Sequence, residues 1–207
     1  MLVLLPPSEG KTPARRGKPL DLATLSFPEL TSTRERVLDR LVDLAGSDPE
    51  ALRTALGLSV RQDDEIARDA ALLTAPTATA GRVYSGVLYD ALDLGSLDAP
   101  AKRRAQRSIV VASALFGALR LGDRIPAYRL SGDSVLPGLG GLPAVWRDPL
   151  ATAMTAAAGR GLVVDLRSGA YAALWKPTGD VATRTVAVRV LQEMPDGSRA
   201  VVSHFNK

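Results

Sequence analysis

The chain has 207 residues, of which 46% are hydrophobic and 23% charged, and these values exclude a disordered or fibrous protein. It contains no cysteine and one histidine, which excludes disulfides, thiol catalysis and thiolate metal sites and argues against a multi-histidine metal centre. The net charge of +4 permits an anionic partner without requiring one.

The sequence predicts a single domain over residues 1–207, because it contains no repeat, low-complexity tract or linker. No stretch reaches the roughly 18 consecutive apolar residues that a membrane span needs. The N-terminal apolar run is too short for a secretory signal and ends at two prolines. We therefore expect a cytoplasmic protein that does not associate with membranes.

The first half of the chain predicts one strand followed by helices. Residues 2–5 are an apolar run that predicts a buried strand, ended by Pro6 and Pro7. Three helices are expected at residues 31–45, 48–57 and 59–73, the second capped by Asp48 with Pro49 at its first position. Shorter helices are expected after Gly86 and at residues 101–107.

The second half alternates strands and helices. Residues 108–113 and 162–166 predict buried strands, and residues 144–158 predict the helix between them. Residues 127–141 are expected to form a loop without a regular element, and residues 185–191 and 199–205 a hairpin. His204 falls in that hairpin, and we expect it to be structural. The predicted fold class is α/β (mixed α+β), a single compact domain with a mixed β-sheet flanked by helices.

Basic residues cluster in two parts of the chain. Residues 101–129 carry seven bases and one acid, and residues 10–20 carry four bases and no acid. Two such clusters favour an anion-binding surface over ordinary solvated faces. Residues 31–75, by contrast, carry nine acids and six bases. They leave open a weaker alternative, an interaction module that meets its partner through these acidic helices.

Two local motifs suggest phosphate binding, and each has a simpler alternative. Lys11 and Thr12 follow the first strand, but only Gly10 precedes them, so they do not form a Walker motif. They can hold one phosphate, or they can belong to a solvated turn. Residues 56–58 resemble the hairpin of a helix-hairpin-helix element near residues 48–73, and a plain turn between two helices is the alternative.

Polar and basic side chains also follow the predicted strands. In open α/β folds, ligands bind beyond the carboxyl ends of the strands. After the strand at 108–113, a tight turn at Gly117 leads to Arg120, Tyr128 and Arg129. Arg129 can bind a phosphate through two parallel hydrogen bonds. Alternatively, it can pair with Asp123 or Asp133. A second set of polar and basic side chains lies at the end of the strand at 162–166 and after it: Asp165, Ser168, Tyr171 and Lys176.

The order of these motifs along the whole chain resembles the YaaA (peroxide stress protein, UPF0246-type) family. The motifs are LLPPSEGKT, VYSGVLYDAL, SALFGALRLGDRIPAYRLSGD, VVDLRSGAYAALWKP and a closing SHFNK. The resemblance implies a mixed α/β fold with a basic cleft, a helix-hairpin-helix-like element, DNA binding and a role in limiting oxidative damage. Family positions fall on Lys11, Gly117, Arg120, Tyr128 and Arg129.

The sequence departs from that family pattern in three places. Ala170 stands where the family usually has a glutamate, and Ser59 stands where it has the second glycine of the hairpin. The family also usually continues into a basic helix beyond the position of Lys207, and that helix is not part of this chain.

The leading interpretation is a peroxide-stress protein that binds DNA non-specifically through a basic cleft. In it, Lys11, Arg120, Arg129 and Lys176 contact phosphates, while Tyr84, Tyr128 and Tyr171 stack on or hydrogen-bond an unpaired base. The alternative is an enzyme that acts on a nucleotide or nucleobase-like small molecule in the same cleft, with candidate catalytic residues Lys11, Asp165, Ser168 and Tyr171. No cofactor and no metal is expected.

Overall fold

A mixed sheet of five strands forms the centre of the computed structural model, which describes residues 1–188, 191–194 and 196–201. The strand order is β4-β3-β1-β8-β9. In chain order, the strands are β1 (Leu2–Leu5), β2 (Ala78–Thr79), β3 (Ile109–Ser113), β4 (Gly117–Arg120), β5 (Arg124–Ile125), β6 (Val135–Leu136), β7 (Gly140–Gly141), β8 (Val163–Asp165), β9 (Thr185–Ala187), β10 (Leu191–Glu193) and β11 (Arg199–Val201).

Helices surround this sheet. In chain order, they are α1 (Thr31–Ser47), α2 (Pro49–Ala55), α3 (Asp63–Ala70), α4 (Ala80–Val83), α5 (Val87–Leu92), α6 (Ala99–Ser108), α7 (Leu142–Ala158), α8 (Gly169–Ala172) and α9 (Gly179–Thr183). Short 3₁₀ turns at Leu22–Thr24, Pro28–Leu30 and Val60–Gln62 precede or join some of them. Within the described ranges, no helix is long and apolar enough to cross a membrane.

The central strands are parallel, and this places their carboxyl ends at one edge. β1 pairs in parallel with β3 on one side and with β8 on the other, and β8 pairs in parallel with β9. β4 is antiparallel to β3 and closes one side of the sheet. The near-continuous burial of β1 and β3 is typical of a parallel sheet covered on both faces.

One hydrophobic core joins the sheet to the long helices, which confirms the predicted fold class. The apolar face that the spacing predicts for α1 is buried: Val37, Leu38, Leu41 and Leu44. On α7 the buried face includes Trp146, Leu150 and Met154. The sheet and these helices bury apolar side chains in one continuous cluster, as expected for a single core.

Three element predictions need correction. The helix expected at 59–73 is a 3₁₀ turn followed by α3, which ends at Ala70. The loop at 127–141 contains the antiparallel pair β6–β7, since Gly138 and Gly140 adopt positive φ angles of 75° and 97° and reverse the chain. The strand expected over 185–191 is divided: β9 joins the central sheet, and β10 pairs with β11. His204 lies outside the described residues.

The structure does not confirm a helix-hairpin-helix element near residues 48–73. Helices α2 and α3 are joined by a turn at Gly57, but the backbone N–H groups of this turn have partners inside it. Gly57 N donates to Thr54 O at 3.1 Å and Leu58 N to Arg53 O at 3.0 Å. Ser59 N donates to Gln62 Oε1 at 3.1 Å. A phosphate would therefore have to displace existing bonds.

The turn between β3 and β4 is held by two buried side chains. Arg34 of α1 donates from Nε to Phe116 O at 3.0 Å and from Nη2 to Ala118 O at 2.9 Å. Trp146 of α7 donates from Nε1 to Ala114 O at 2.7 Å. The indole ring also covers Gly117, where an added Cβ would lie 2.6 Å from Trp146 Cζ3. Only glycine fits this position, because its φ is +72° as well.

We expect Gly117→Ala to lower the free energy of unfolding by about 2 to 4 kcal/mol, because the methyl group is strained by the positive φ and overlaps the indole. Gly122→Ala is the matched control, since no described atom other than those of Gly122 and its two chain neighbours lies within 4 Å of its Cβ position, and it should change stability by less than about 0.5 kcal/mol. Urea unfolding of both variants is the measurement. Equal stability of the two would contradict this account of the turn.

Candidate functional site

The candidate site lies at the carboxyl edge of the parallel strands. β1 ends at Leu5 and continues into the loop that carries Lys11. β3 ends at Ser113, and β8 ends at Asp165. The register pairs Leu5 with Val111 and Leu4 with Asp165, so the loops after all three strands begin at this edge.

Lys11 is held over two aromatic rings by main-chain contacts. Thr12 N donates to Val83 O at 2.8 Å, and Lys11 forms an isolated antiparallel bridge with Tyr84. From this position Lys11 Nζ donates to Ser8 O at 3.0 Å. It lies 4.4 Å from the centroid of the Tyr128 ring and 5.9 Å from that of Tyr84. These are cation–π distances.

The tyrosines below Lys11 form a buried chain of hydroxyl groups. The hydroxyls of Tyr84 and Tyr128 are 3.0 Å apart, and that of Tyr128 is 2.8 Å from Ser113 Oγ. Ser113 Oγ in turn accepts from Phe116 N at 3.0 Å. Burial raises the pKa of both tyrosines well above the usual value. They remain protonated hydroxyls and offer hydrogen bonds rather than charge.

Asp69 of α3 contributes a buried carboxyl group. The residue has 0% exposure, Oδ1 accepts from Arg129 N at 2.8 Å, and Oδ2 has no hydrogen-bond partner among the described atoms. Burial raises the pKa of Asp69 to about 7, although the bond from Arg129 N and the charge of Lys11 act in the opposite direction. Asp69 is therefore partly protonated near neutral pH.

The pKa of Lys11 is lowered, whereas that of Asp69 is raised. Burial, followed by the positive charge of Arg129, lowers the pKa of the Lys11 ammonium to about 8, and the charges of Asp69, Glu65 and Glu9 oppose this only in part. No carboxylate of the described residues lies within ion-pair distance of Lys11 Nζ; the side chain of Glu65 instead pairs with Arg68. Lys11 is thus a cation without a matched counter-ion.

Arg129 is the second such cation. Its side chain is partly buried and makes no hydrogen bond or ion pair within the described part of the chain, while its backbone N–H is fixed by Asp69. The alternative pairing with Asp123 or Asp133 is wrong. Asp123 accepts from Ser26 and from Arg120 N, and Asp133 accepts from Ser131 Oγ at 2.5 Å.

The predicted residues at the end of β8 and after it have different surroundings. Tyr171 is buried, which raises its pKa to about 12, and it lies close enough to Tyr84 and Tyr128 to affect their pKa values. Ser168 Oγ is buried without a partner among the described residues. Asp165 is committed to structure, because Arg167 binds its two oxygens at 2.9 and 2.7 Å. It is not free for acid–base chemistry.

Arg120 and Lys176 are not brought to Lys11. Arg120 pairs with Val110 near the amino end of β3, and its Nη1 donates to Arg107 O at 2.6 Å. Its guanidinium also lies over the ring of Phe27. Lys176 is exposed, and no described contact joins it to the site.

Sequence reasoning missed Ser113 and Asp69. Ser113 carried a usable signal, a polar residue at the end of a predicted buried strand. Asp69 carried no signal in the sequence, because it lies on an acidic helix beside Asp63, Asp64 and Glu65 and only the tertiary structure buries it.

Among residues 1–188, 191–194 and 196–201, no group of three His, Cys, Asp or Glu side chains is arranged to hold a metal ion.

The raised pKa of Asp69 predicts a pH-dependent stability. Between its ordinary pKa of 3.8 and about 7, the folded protein retains a proton that the unfolded chain has released. The free energy of unfolding should therefore fall as the pH rises through this window. Asp69→Asn cannot titrate, so its stability relative to wild type should increase by roughly 2 to 4 kcal/mol between about pH 4 and pH 7.

Denaturant unfolding across this pH range is the measurement. Asp64→Asn is the matched control, because Asp64 is an exposed carboxylate on the same helix, and its stability difference from wild type should be nearly constant. A pH-independent difference for Asp69→Asn would contradict the raised pKa.

The whole chain, residues 1–207, matches the family model described as peroxide stress protein YaaA. It is 58% identical over 207 residues to a UPF0246 protein of Streptomyces coelicolor, an alignment that covers 100% of this chain and 78% of the relative. It is 46% identical over 209 residues to a UPF0246 protein of Corynebacterium efficiens, covering 100% of this chain and 80% of that one. An uncharacterized protein of Campylobacter jejuni is 25% identical over 179 residues, covering 86% and 72%. The chain therefore belongs to the YaaA (UPF0246) peroxide stress protein family.

Proposed function

We propose that this protein acts in the response to peroxide stress by binding the phosphate backbone of DNA non-specifically, with Lys11 and Arg129 as the central contacts. The observation that carries the proposal is that Lys11, whose Nζ lies over the ring of Tyr128, and the next residue, Arg129, both lack an ion-paired carboxylate among the described residues. Two adjacent cations repel each other and are desolvated at a cost, and a bound phosphate relieves both.

The loop that carries Lys11 supports this proposal. Arg15, Arg16 and Lys18 follow Lys11 within seven residues and are exposed. Together they form a cationic segment that a phosphate backbone can follow, and such contacts require no particular base sequence. Arg120 has no part in the proposed surface, since its guanidinium is occupied by main-chain carbonyl groups.

The tyrosines of the site argue against stacking of an unpaired base, because Tyr84 and Tyr128 are buried. Tyr84 and Tyr128 already hold Lys11 over their rings, so an incoming base would have to displace its ammonium group in order to stack. We therefore expect duplex and single-stranded DNA to bind with similar affinity, and phosphate contacts rather than stacking to dominate.

The dependence of binding on salt tests the proposal. In duplex DNA, each phosphate contact contributes about −0.9 to the slope of log K against log salt concentration. Arg129→Gln should make this slope less steep by about 0.9, while Arg104→Gln, at an exposed position of α6, should change it less. Fluorescence anisotropy with duplex, bubble and single-stranded DNA is the measurement. An unchanged slope for Arg129→Gln, or no binding at low salt, would contradict the proposal.

A second candidate function is an enzyme that acts on a nucleotide or nucleobase-like small molecule at the same site. The specific observation is the pair of perturbed groups, Lys11 with a pKa of about 8 and Asp69 with a pKa of about 7, because such shifts are typical of catalytic groups. A calorimetric titration with AMP and with inorganic phosphate separates the two functions. Binding of AMP at least 100-fold tighter than phosphate, without comparable affinity for DNA, would favour the enzyme.

A further inference from the structure

We infer that this protein bridges two segments of DNA, because it carries a second phosphate-binding surface at the edge of the sheet opposite the Lys11–Arg129 site. This amino-edge surface consists of four arginines: Arg103, Arg104 and Arg107 of α6, and Arg160 before β8. The inference rests on the proposed function, since it takes the first DNA contact from it and adds a second one.

The sheet topology separates this surface from Lys11. β1, β3 and β8 are parallel, and Lys11 follows the carboxyl end of β1. Helix α6, by contrast, ends at Ser108, directly before the first residue of β3, and Arg160 lies three positions before Val163, the first residue of β8. The five residues of β3 span about 15 Å. The two surfaces therefore lie at opposite ends of the strands.

Helix α6 presents its arginines to solvent. The helix has no fully buried residue, and its half-buried residues are Ala101, Ala105 and Ser108, spaced four and three positions apart on one face. The three arginines of the helix are all exposed and lie off this face. Lys102 is exposed too, but its Nζ donates to Gly95 O at 3.1 Å. The arginines thus form the outward, cationic side of the helix.

The amino-edge surface has no ion-paired carboxylate within the described part of the chain. Asp98, directly before α6, is engaged as the N-cap of that helix. Arg160 is displayed by a fixed loop, because the guanidinium of Arg184 donates to the carbonyl groups of Gly159 and Gly161 on either side of it. The four arginines are therefore open to an external anion.

The exposed residues of α6 favour a nucleic acid over a lipid surface. Guanidinium groups bind phosphates through two parallel hydrogen bonds. Helices that lie on membranes add bulky apolar side chains to their cations. The exposed residues of α6 include no such side chain: Ala99, Pro100, Lys102, Arg103, Arg104, Gln106 and Arg107. The surface therefore fits a phosphate backbone.

One duplex does not reach both surfaces. The persistence length of duplex DNA is about 50 nm, so a duplex that lies along the carboxyl edge stays nearly straight across the protein. It leaves the amino edge accessible, because the two edges lie at opposite ends of the strands. Two contacts placed in this way engage two segments of DNA.

Capture of one duplex by another tests the inference. A biotinylated duplex on streptavidin beads is incubated at low salt with the full chain and then with a fluorescent duplex. We expect wild type to retain the fluorescent duplex. The triple variant Arg103→Gln, Arg104→Gln, Arg107→Gln should retain about tenfold less, because three phosphate contacts are lost. Its melting temperature should not change, because all three side chains are exposed.

A second triple variant is the matched control. Arg36→Gln, Arg147→Gln and Arg199→Gln together remove the same charge at exposed positions of α1, α7 and β11. This variant should retain the fluorescent duplex within about twofold of wild type, because charges more than about 10 Å from a contact are screened. Equal losses in both triple variants would reduce the effect to net charge and overturn the inference.

Wild-type capture by the α6 triple variant would also overturn the inference, because a dimer that bridges through two copies of the Lys11–Arg129 site behaves in this way. Vesicles that contain anionic phospholipid test the other occupant. Binding to these vesicles that the α6 triple variant loses, without capture of a second duplex by wild type, would assign the surface to a membrane and overturn the inference.

These outcomes are distinguishable from failure of the proposed function. Salt-dependent binding of one duplex that Arg129→Gln weakens, without capture of a second duplex, leaves the proposed function intact and overturns the inference. DNA binding that the α6 triple variant abolishes and Arg129→Gln leaves unchanged overturns both, because a single surface then remains. Capture that is lost in either variant supports both.

Discussion

The site depends on one buried interaction, the contact of the Arg34 guanidinium with the carbonyl groups of the β3–β4 turn. Arg34 has 0% exposure, and burial lowers its pKa to about 10. By fixing Phe116, it fixes the N–H group that binds Ser113, and Ser113 in turn contacts the hydroxyl of Tyr128. The ring of Tyr128 lies under Lys11. A charge buried on α1 thus orients a site at the carboxyl edge of the sheet.

The electrostatics of that site are unfavourable for folding and fit the anionic ligand that we propose. Lys11 and Arg129 lie together without an ion-paired carboxylate among the described residues, and the nearby Asp69 is so deeply buried that its charged form is penalised. A protein selected for stability alone would have paired these groups. Uncompensated charge at the end of a well-packed sheet is typical of a functional site, where an anionic ligand completes the pairing.

The arginines of this chain show why sequence reasoning predicted only part of the site. Arg120 and Arg129 have similar neighbours in the sequence, and both were expected to bind phosphate. Arg120 instead donates to main-chain carbonyls, and Arg167 binds Asp165. Only Arg129 of these three keeps its guanidinium unbonded within the described part of the chain. Which arginine is free depends on long-range contacts that no local pattern contains.

Local chemistry determined much of the fold. Apolar runs fixed β1, β3 and β8, helical periodicity fixed α1 and α7, and Asp48 with Pro49 fixed the start of α2, since each signal lies within a few residues. The motif order identified the family, and strand ends indicated Lys11, Tyr128 and Arg129. Only the tertiary structure decided the strand order, the separation of β9 from its expected hairpin and the burial of Asp69. These depend on contacts between residues far apart in the chain, such as the 60 positions that separate Asp69 from Arg129.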